Sequence, residues 1–174
     1  GYGTLAQAAV SVLAQATVEQ FESVHGKVPG GELLIVALGR LGGGVLTYAS
    51  DLDLVYLFTG DFATESDGAR PLGATQYFNR LAQRIGNSLS VPTASGPLYE
   101  VDTRLRPFGA QGLLAASVDS FGRYQREEAW TWELQALTRL RPVAVHAQLS
   151  QRVQDIARRT LSISRDRAKV LNDV

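Results

Sequence analysis

Stretches whose apolar residues recur every three to four positions alternate along the chain with short unbroken apolar runs closed off by glycine. From about Thr4 to Ser23, Leu5, Ala8, Ala9, Val12, Leu13, Ala16 and Phe21 fall near the 3.6-residue period without a breaker, which predicts an amphipathic helix. His25 to Gly31, with its glycines and Pro29, reads as a loop. Glu32 to Leu38 (ELLIVAL) has the pattern of a buried strand, and after the Gly-rich connection Gly39 to Ser50 a second strand is expected over Asp51 to Phe58. Thr59 to Leu72 is polar and rich in Gly and Asp, an exposed loop. Helical periodicity returns over Ala74 to Leu89 through Tyr77, Leu81, Ile85 and Leu89. Pro97 to Leu105 alternates like a strand, and Pro107 to Ala116 reads as a loop. Ser117 is placed to cap a helix of Asp119 to Leu140 that Pro142 would end, and a last helix is expected over Ala147 to Leu161, with a tail to Val174 that reads as truncated. The order of these elements predicts a compact α+β domain with no internal repeat.

Composition narrows the class without changing that outline. At 174 residues, 45% hydrophobic and 20% charged, the chain is long enough for about one soluble domain with a proper core. No apolar run approaches the roughly 20 residues that span a bilayer, and no signal-peptide pattern opens the chain. The absence of cysteine excludes a disulfide framework and thiolate metal sites, so a cytoplasmic enzyme is the expectation. Seventeen basic residues balance seventeen acidic ones, which argues against a partner of long nucleic acid. A start at Gly1 and the lack of Met point to a piece of something longer.

The candidate chemistry is concentrated in LGGGVLTYASDLDLVYLF, Leu41 to Phe58. Strand alternation puts Asp51 and Asp53 on one face, about 6–7 Å apart, with Leu52 and Leu54 on the other. Two carboxylates so close repel unless a cation lies between them, and a hard oxygen-liganded ion such as Mg²⁺ is the natural one. Taken alone, the pair is better read as a solvated strand end with two caps for a neighbouring turn. Gly42 and Gly43 shift the balance, because glycine lets backbone N–H groups approach and point at an anion. A phosphate cradle just ahead of a carboxylate pair outlines a nucleoside triphosphate site, though no Gly-Lys-Ser/Thr follows to make a Walker loop. In YEVDTRLRP, Asp102, Arg104 and Arg106 share a face by alternation. They form either a structural ion-pair ladder or a third metal ligand with cations for phosphate charge.

Gly-Gly, then Asp-x-Asp on one strand, then a lone Asp on a later strand resembles the nucleotidyltransferase superfamily that includes DNA polymerase β. The stretches ALGRLGGGVLTYASDLDLVYLF, FNRLAQRI, LYEVDTRLRPFGAQGLL and YQREEAWTWELQAL are similar to the glutamine synthetase adenylyltransferase family, over most of Leu33 to Ala144. That resemblance implies a polymerase β-like fold, a small mixed sheet flanked by helices. Residues 1–30 would be an N-terminal helix and linker, 31–145 the nucleotidyltransferase domain, and 146–174 the start of a helical domain. LYEVD and EEAWTWE are similar to the half of the family's enzyme that attaches AMP rather than the half that removes it.

Carried over by position, Asp51, Asp53 and Asp102 would hold two Mg²⁺ ions, and Gly42, Gly43 and Ser50 would contact the triphosphate of ATP. Arg104 and Arg106 would stabilise charge. The implied reaction is attack by a glutamine synthetase tyrosine on the α-phosphorus of ATP, with pyrophosphate leaving. A small signal-transduction regulator protein is an implied partner of the full-length enzyme. The chain departs from the family's usual wording at Arg40, where a Lys is usual, at Leu134 and at Leu140. Rival readings are the AMP-removing half, which would use phosphate to release ADP, and a nucleotide sensor without catalysis, which has no need of a second metal. A sugar-nucleotide glycosyltransferase also uses Asp-x-Asp, but nothing before Glu32 could supply its nucleotide fold. His25 and His146, far apart and without companion carboxylates, are expected at the surface.

Overall fold

The computed structural model describes residues 2–37, 52–60, 63–90, 92–93, 96–97, 101–103, 113–127, 141–144, 155 and 157–162. In chain order the elements are α1 (Tyr2–His25), β1 (Glu32–Ala37), β2 (Leu52–Thr59), α2 (Ala74–Leu89), β3 (Pro92–Thr93), β4 (Gly96–Pro97), β5 (Val101–Asp102), β6 (Ala115–Ser117), α3 (Val118–Glu127) and β7 (Arg141–Ala144). Residues 157–162 are helical as well.

The sheet is mixed, as expected. β1 lies antiparallel between β2 and β7, with Glu32 opposite Thr59 and Ala37 opposite Leu54. β5 and β6 both run parallel to β2 along its other edge, β5 at Leu52 and Asp53 and β6 at Tyr56 to Phe58. The unbroken apolar character of the two central strands has a simple cause: both of their faces are buried. Ile35, Ala37, Leu54, Tyr56 and Phe58 pack with Val10, Ala14 and Phe21 of α1 and with Tyr77, Phe78, Leu81 and Ile85 of α2. Leu34, Val36, Val55 and Leu57 face the opposite way, onto Val118 and Phe121 of α3, with Leu161 against them. The result is a three-layer α+β arrangement, helices on both sides of one small sheet.

Two expectations are corrected and two are refined. Within Pro97 to Leu105 the described residues place Pro97 at the end of β4 and Val101 and Asp102 in β5, with Thr103 outside the strand, while 98–100, 104 and 105 lie outside the described residues. The supposed loop through Ala116 ends in strand β6, and Ser117 closes that strand while its Oγ accepts the Ser120 N–H at 3.1 Å to cap α3. Arg141 to Ala144 is strand β7, so Pro142 sits in an edge strand rather than simply ending a helix. The polar loop after β2 has exposed side chains, yet its backbone is pinned to the end of α1. Arg70 N–H donates to Val24 O at 3.2 Å, Gly68 N–H to His25 O at 3.0 Å and Asp67 N–H to Lys27 O at 3.1 Å. Those carbonyls belong to the last turn and exit of α1, which lack partners of their own within the helix.

Candidate functional site

Asp53 stands at the second residue of β2, half-buried, immediately before Leu54 to Phe58, none of which is more than 2% exposed. The strand therefore cannot shift without dragging five buried side chains through two packed interfaces. β5 brings Asp102 to the same place: Val101 pairs with Leu52 and Asp102 with Asp53, in parallel register. Neighbouring strands lie about 4.8 Å apart, so the two acidic residues form one rung of the ladder although 49 positions separate them in the chain.

Opposed positions on adjacent strands share one face of the sheet, the backbone placement that a hard, oxygen-liganded cation would require of two acidic residues. Asp51, Gly42, Gly43, Ser50, Arg104 and Arg106 lie outside the described residues, as do Arg40, Leu134, Leu140 and His146. The structure thus brings together two of the expected site residues, Asp53 and Asp102.

His25 is not a surface residue. It is buried at 6% exposure, its Nδ1 donates to the Arg70 carbonyl at 2.8 Å, and its ring lies 4.5 Å from that of Phe21. Its task is to fasten the loop after β2 onto α1. A separate cavity of about 540 Å³, with Glu19, Glu22, Lys27 and Glu32 among its lining residues, opens between α1, β1 and α2. It sits at the other end of the sheet, because Glu32 pairs with Thr59, six residues along β2 from Asp53.

Residues 2–156 match the family described as glutamate-ammonia ligase adenylyltransferase. The chain belongs to that family. Among curated members, the bifunctional glutamine synthetase adenylyltransferase/adenylyl-removing enzyme of Agrobacterium fabrum is 45% identical over 171 residues, 98% of this chain and 17% of the relative. The enzymes of the same name from Rhizobium meliloti and Xanthomonas campestris pv. campestris are 44% and 46% identical, again over 98% of this chain and 17% and 18% of the relatives. The chain spans less than a fifth of the length of the curated family members it matches. No helix among the described residues is long and apolar enough to cross a membrane.

Proposed function

We propose that the chain carries a nucleotidyl-transfer site that moves AMP from ATP to a tyrosine of glutamine synthetase. The observation that carries this reading is the direct pairing of Asp102 with Asp53 on parallel strands, which joins the two halves of the sequence motif at one point of the fold. Asp51, two residues before Asp53, completes the carboxylate set, and Asp51, Asp53 and Asp102 would hold two Mg²⁺ ions. Bound there, Mg²⁺ supplies acidification of the attacking phenol, whose ordinary pKa is about 10, and neutralisation of the phosphate charge.

The remaining work belongs to the chain's own groups. Gly42, Gly43 and Ser50 bind the triphosphate through backbone N–H groups and a hydroxyl, holding the α-phosphorus in line with the incoming oxygen. Arg104 and Arg106 offset the charge of the departing pyrophosphate. One P–O bond forms to the tyrosine oxygen as the bond to the β-phosphate bridge breaks, and no covalent intermediate with this chain is needed. A cytoplasmic setting and control by a small signalling protein, acting through the full-length enzyme, accompany this reading.

The double name of the relatives supports a second reading, in which the same carboxylates serve AMP removal: phosphate attacks the AMP phosphorus and becomes part of ADP as the bond to the tyrosine oxygen breaks and the phenol regains its proton. The two are separated by supplying unmodified glutamine synthetase with ATP in one experiment and AMP-modified glutamine synthetase with phosphate in another. AMP incorporation in the first is the expected result, and ADP release in the second without any incorporation in the first would favour removal. Asp53→Asn should abolish whichever reaction is observed, by at least about a thousandfold, with the fold intact by circular dichroism. Full activity in that variant would end the metal assignment.

A further inference from the structure

We infer that Asn79 is a positioning residue for the carboxylate pair, setting the register of β6 and so reserving for β5 the part of the β2 edge where Asp102 meets Asp53. The inference rests on the metal-site reading above. Asn79 lies in the middle of α2, and its side-chain amide bonds both backbone groups of one residue. The Ala115 N–H donates to Asn79 Oδ1 at 2.9 Å, and Asn79 Nδ2 donates to the Ala115 carbonyl at 3.3 Å. A further bond from Nδ2 to the Thr75 carbonyl at 2.8 Å fixes the orientation of the amide on its own helix.

Within a strand, the N–H and C=O of one residue point to the same side, and those of the next residue point to the other. Both groups of Ala115 are taken by Asn79, so they face away from β2, and the rungs to β2 come from the residues on either side. Asn79 therefore fills the position that another strand would fill. A one-residue slip of β6 along β2 carries Ala115 about 3.3 Å away from Asn79 and breaks both bonds to it. The same slip would turn Ala115, now fully buried, to the opposite face.

Register on this edge matters because two strands share it. β5 occupies Leu52 and Asp53, and β6 occupies Tyr56 to Phe58, which leaves only Leu54 and Val55 between them. A slip of two residues toward the start of β2 would set Ala115 opposite Leu54, against the rung at which Asp102 pairs with Asp53. By holding Ala115 at Tyr56, Asn79 keeps that rung clear.

The test is Mn²⁺ affinity, as a probe of the carboxylate site, read by electron paramagnetic resonance on the intact protein. Hydrogen exchange at residues 115–117 and thermal stability are measured alongside. Asn79→Ala should weaken Mn²⁺ binding about tenfold, the usual scale for a group that orients a metal ligand, and speed exchange at Ala115. Asn79→Asp still accepts the Ala115 N–H and should fall between Asn79→Ala and the parent, which also covers the case in which Asn79→Ala does not fold. Leu89→Ala, a cavity at the end of α2 that leaves the Asn79 amide in place, should lower stability and leave Mn²⁺ affinity unchanged. Asn79 variants with faster exchange but parental Mn²⁺ affinity, or a Leu89→Ala variant that loses affinity as they do, would overturn the inference. Asp53→Asn keeps the two levels apart. If it abolishes Mn²⁺ binding while Asn79→Ala does not weaken it, the positioning role alone fails, and if it binds Mn²⁺ normally, the metal reading fails and the positioning role with it.

Discussion

The centre of β2 contains a polar group with nothing to bond. Tyr56 is 1% exposed and its hydroxyl finds no hydrogen-bond partner. Gly86 of α2, whose Cβ would stand 3.6 Å from that oxygen, leaves it room but offers no acceptor. An orphaned buried hydroxyl costs about 1–3 kcal/mol, whereas the ring contributes its apolar area in either case. Tyr56→Phe should therefore stabilise the chain by about 1 kcal/mol in urea denaturation at neutral pH. Burial also holds the Tyr56 phenol well above its ordinary range. Such a group contributes fully below the unfolded value near pH 10, and its contribution is lost as pH rises beyond that. The gain from Tyr56→Phe should thus widen above pH 10. Tyr77, pushed up to about 12 by burial and then by the negative charges of Glu22 and Asp67, keeps its own alkaline loss between 10 and 12. A destabilised Tyr56→Phe would mean that the hydroxyl has an acceptor after all. At this scale the sequence singles out Asp53 and Asp102, which the register then pairs, and is silent where a partner comes from far along the chain. His25 and Asn79 carry no local mark of the Arg70 and Ala115 carbonyls that define their roles.

The long elements were written in the periodicity: α2 runs from Ala74 to Leu89 as the pattern predicts, and β1 and β2 fall within a residue of expectation. The short ones were not. β6 and β7 have three and four described residues, too few for alternation to register, and they exist because the edges of β2 and β1 give them a ladder to join. The loop after β2 shows the same dependence on context. Its polar composition is that of a solvated segment, yet it closes the end of α1 through backbone bonds and through Lys27 N–H to Asp67 Oδ1 at 2.8 Å. That contact needs a backbone without a side chain at Gly26, where φ is +74° and an added Cβ would collide with Asp67 and with the Gly68 backbone. The Gly26 carbonyl also accepts the Tyr77 hydroxyl at 2.6 Å, so any shift there reaches α2. Gly26→Ala should cost at least about 2 kcal/mol, combining left-handed strain with the lost fit. Hydrogen exchange should quicken at Gly68 and Arg70 before it does in β2. An unchanged denaturation midpoint would show that the loop is not held by this contact.

Across the whole molecule, the helices on both faces serve to hold one edge of one strand still, and β2 is where both packed layers and both halves of the motif meet. The arrangement makes a joint demand on Asp53 and Asp102: if they hold the same ions, neither is useful without the other. Ligand that binds only the folded state adds about 2.7 kcal/mol at a hundredfold excess over its dissociation constant. For a chain of 174 residues, that corresponds to a rise of about 5–10 °C in melting temperature when Mg²⁺ and ATP are supplied together. Asp53→Asn and Asp102→Asn should each remove that rise, and the double variant should lose no more than either single one, because residues acting on one site are strongly non-additive. Without ligand, each variant should melt close to the parent, since relieving repulsion between neighbouring carboxylates offsets whatever bonds they make. Two partial and additive losses would instead place the residues in separate sites, and the register that sets Asp102 beside Asp53 would then be a matter of folding alone.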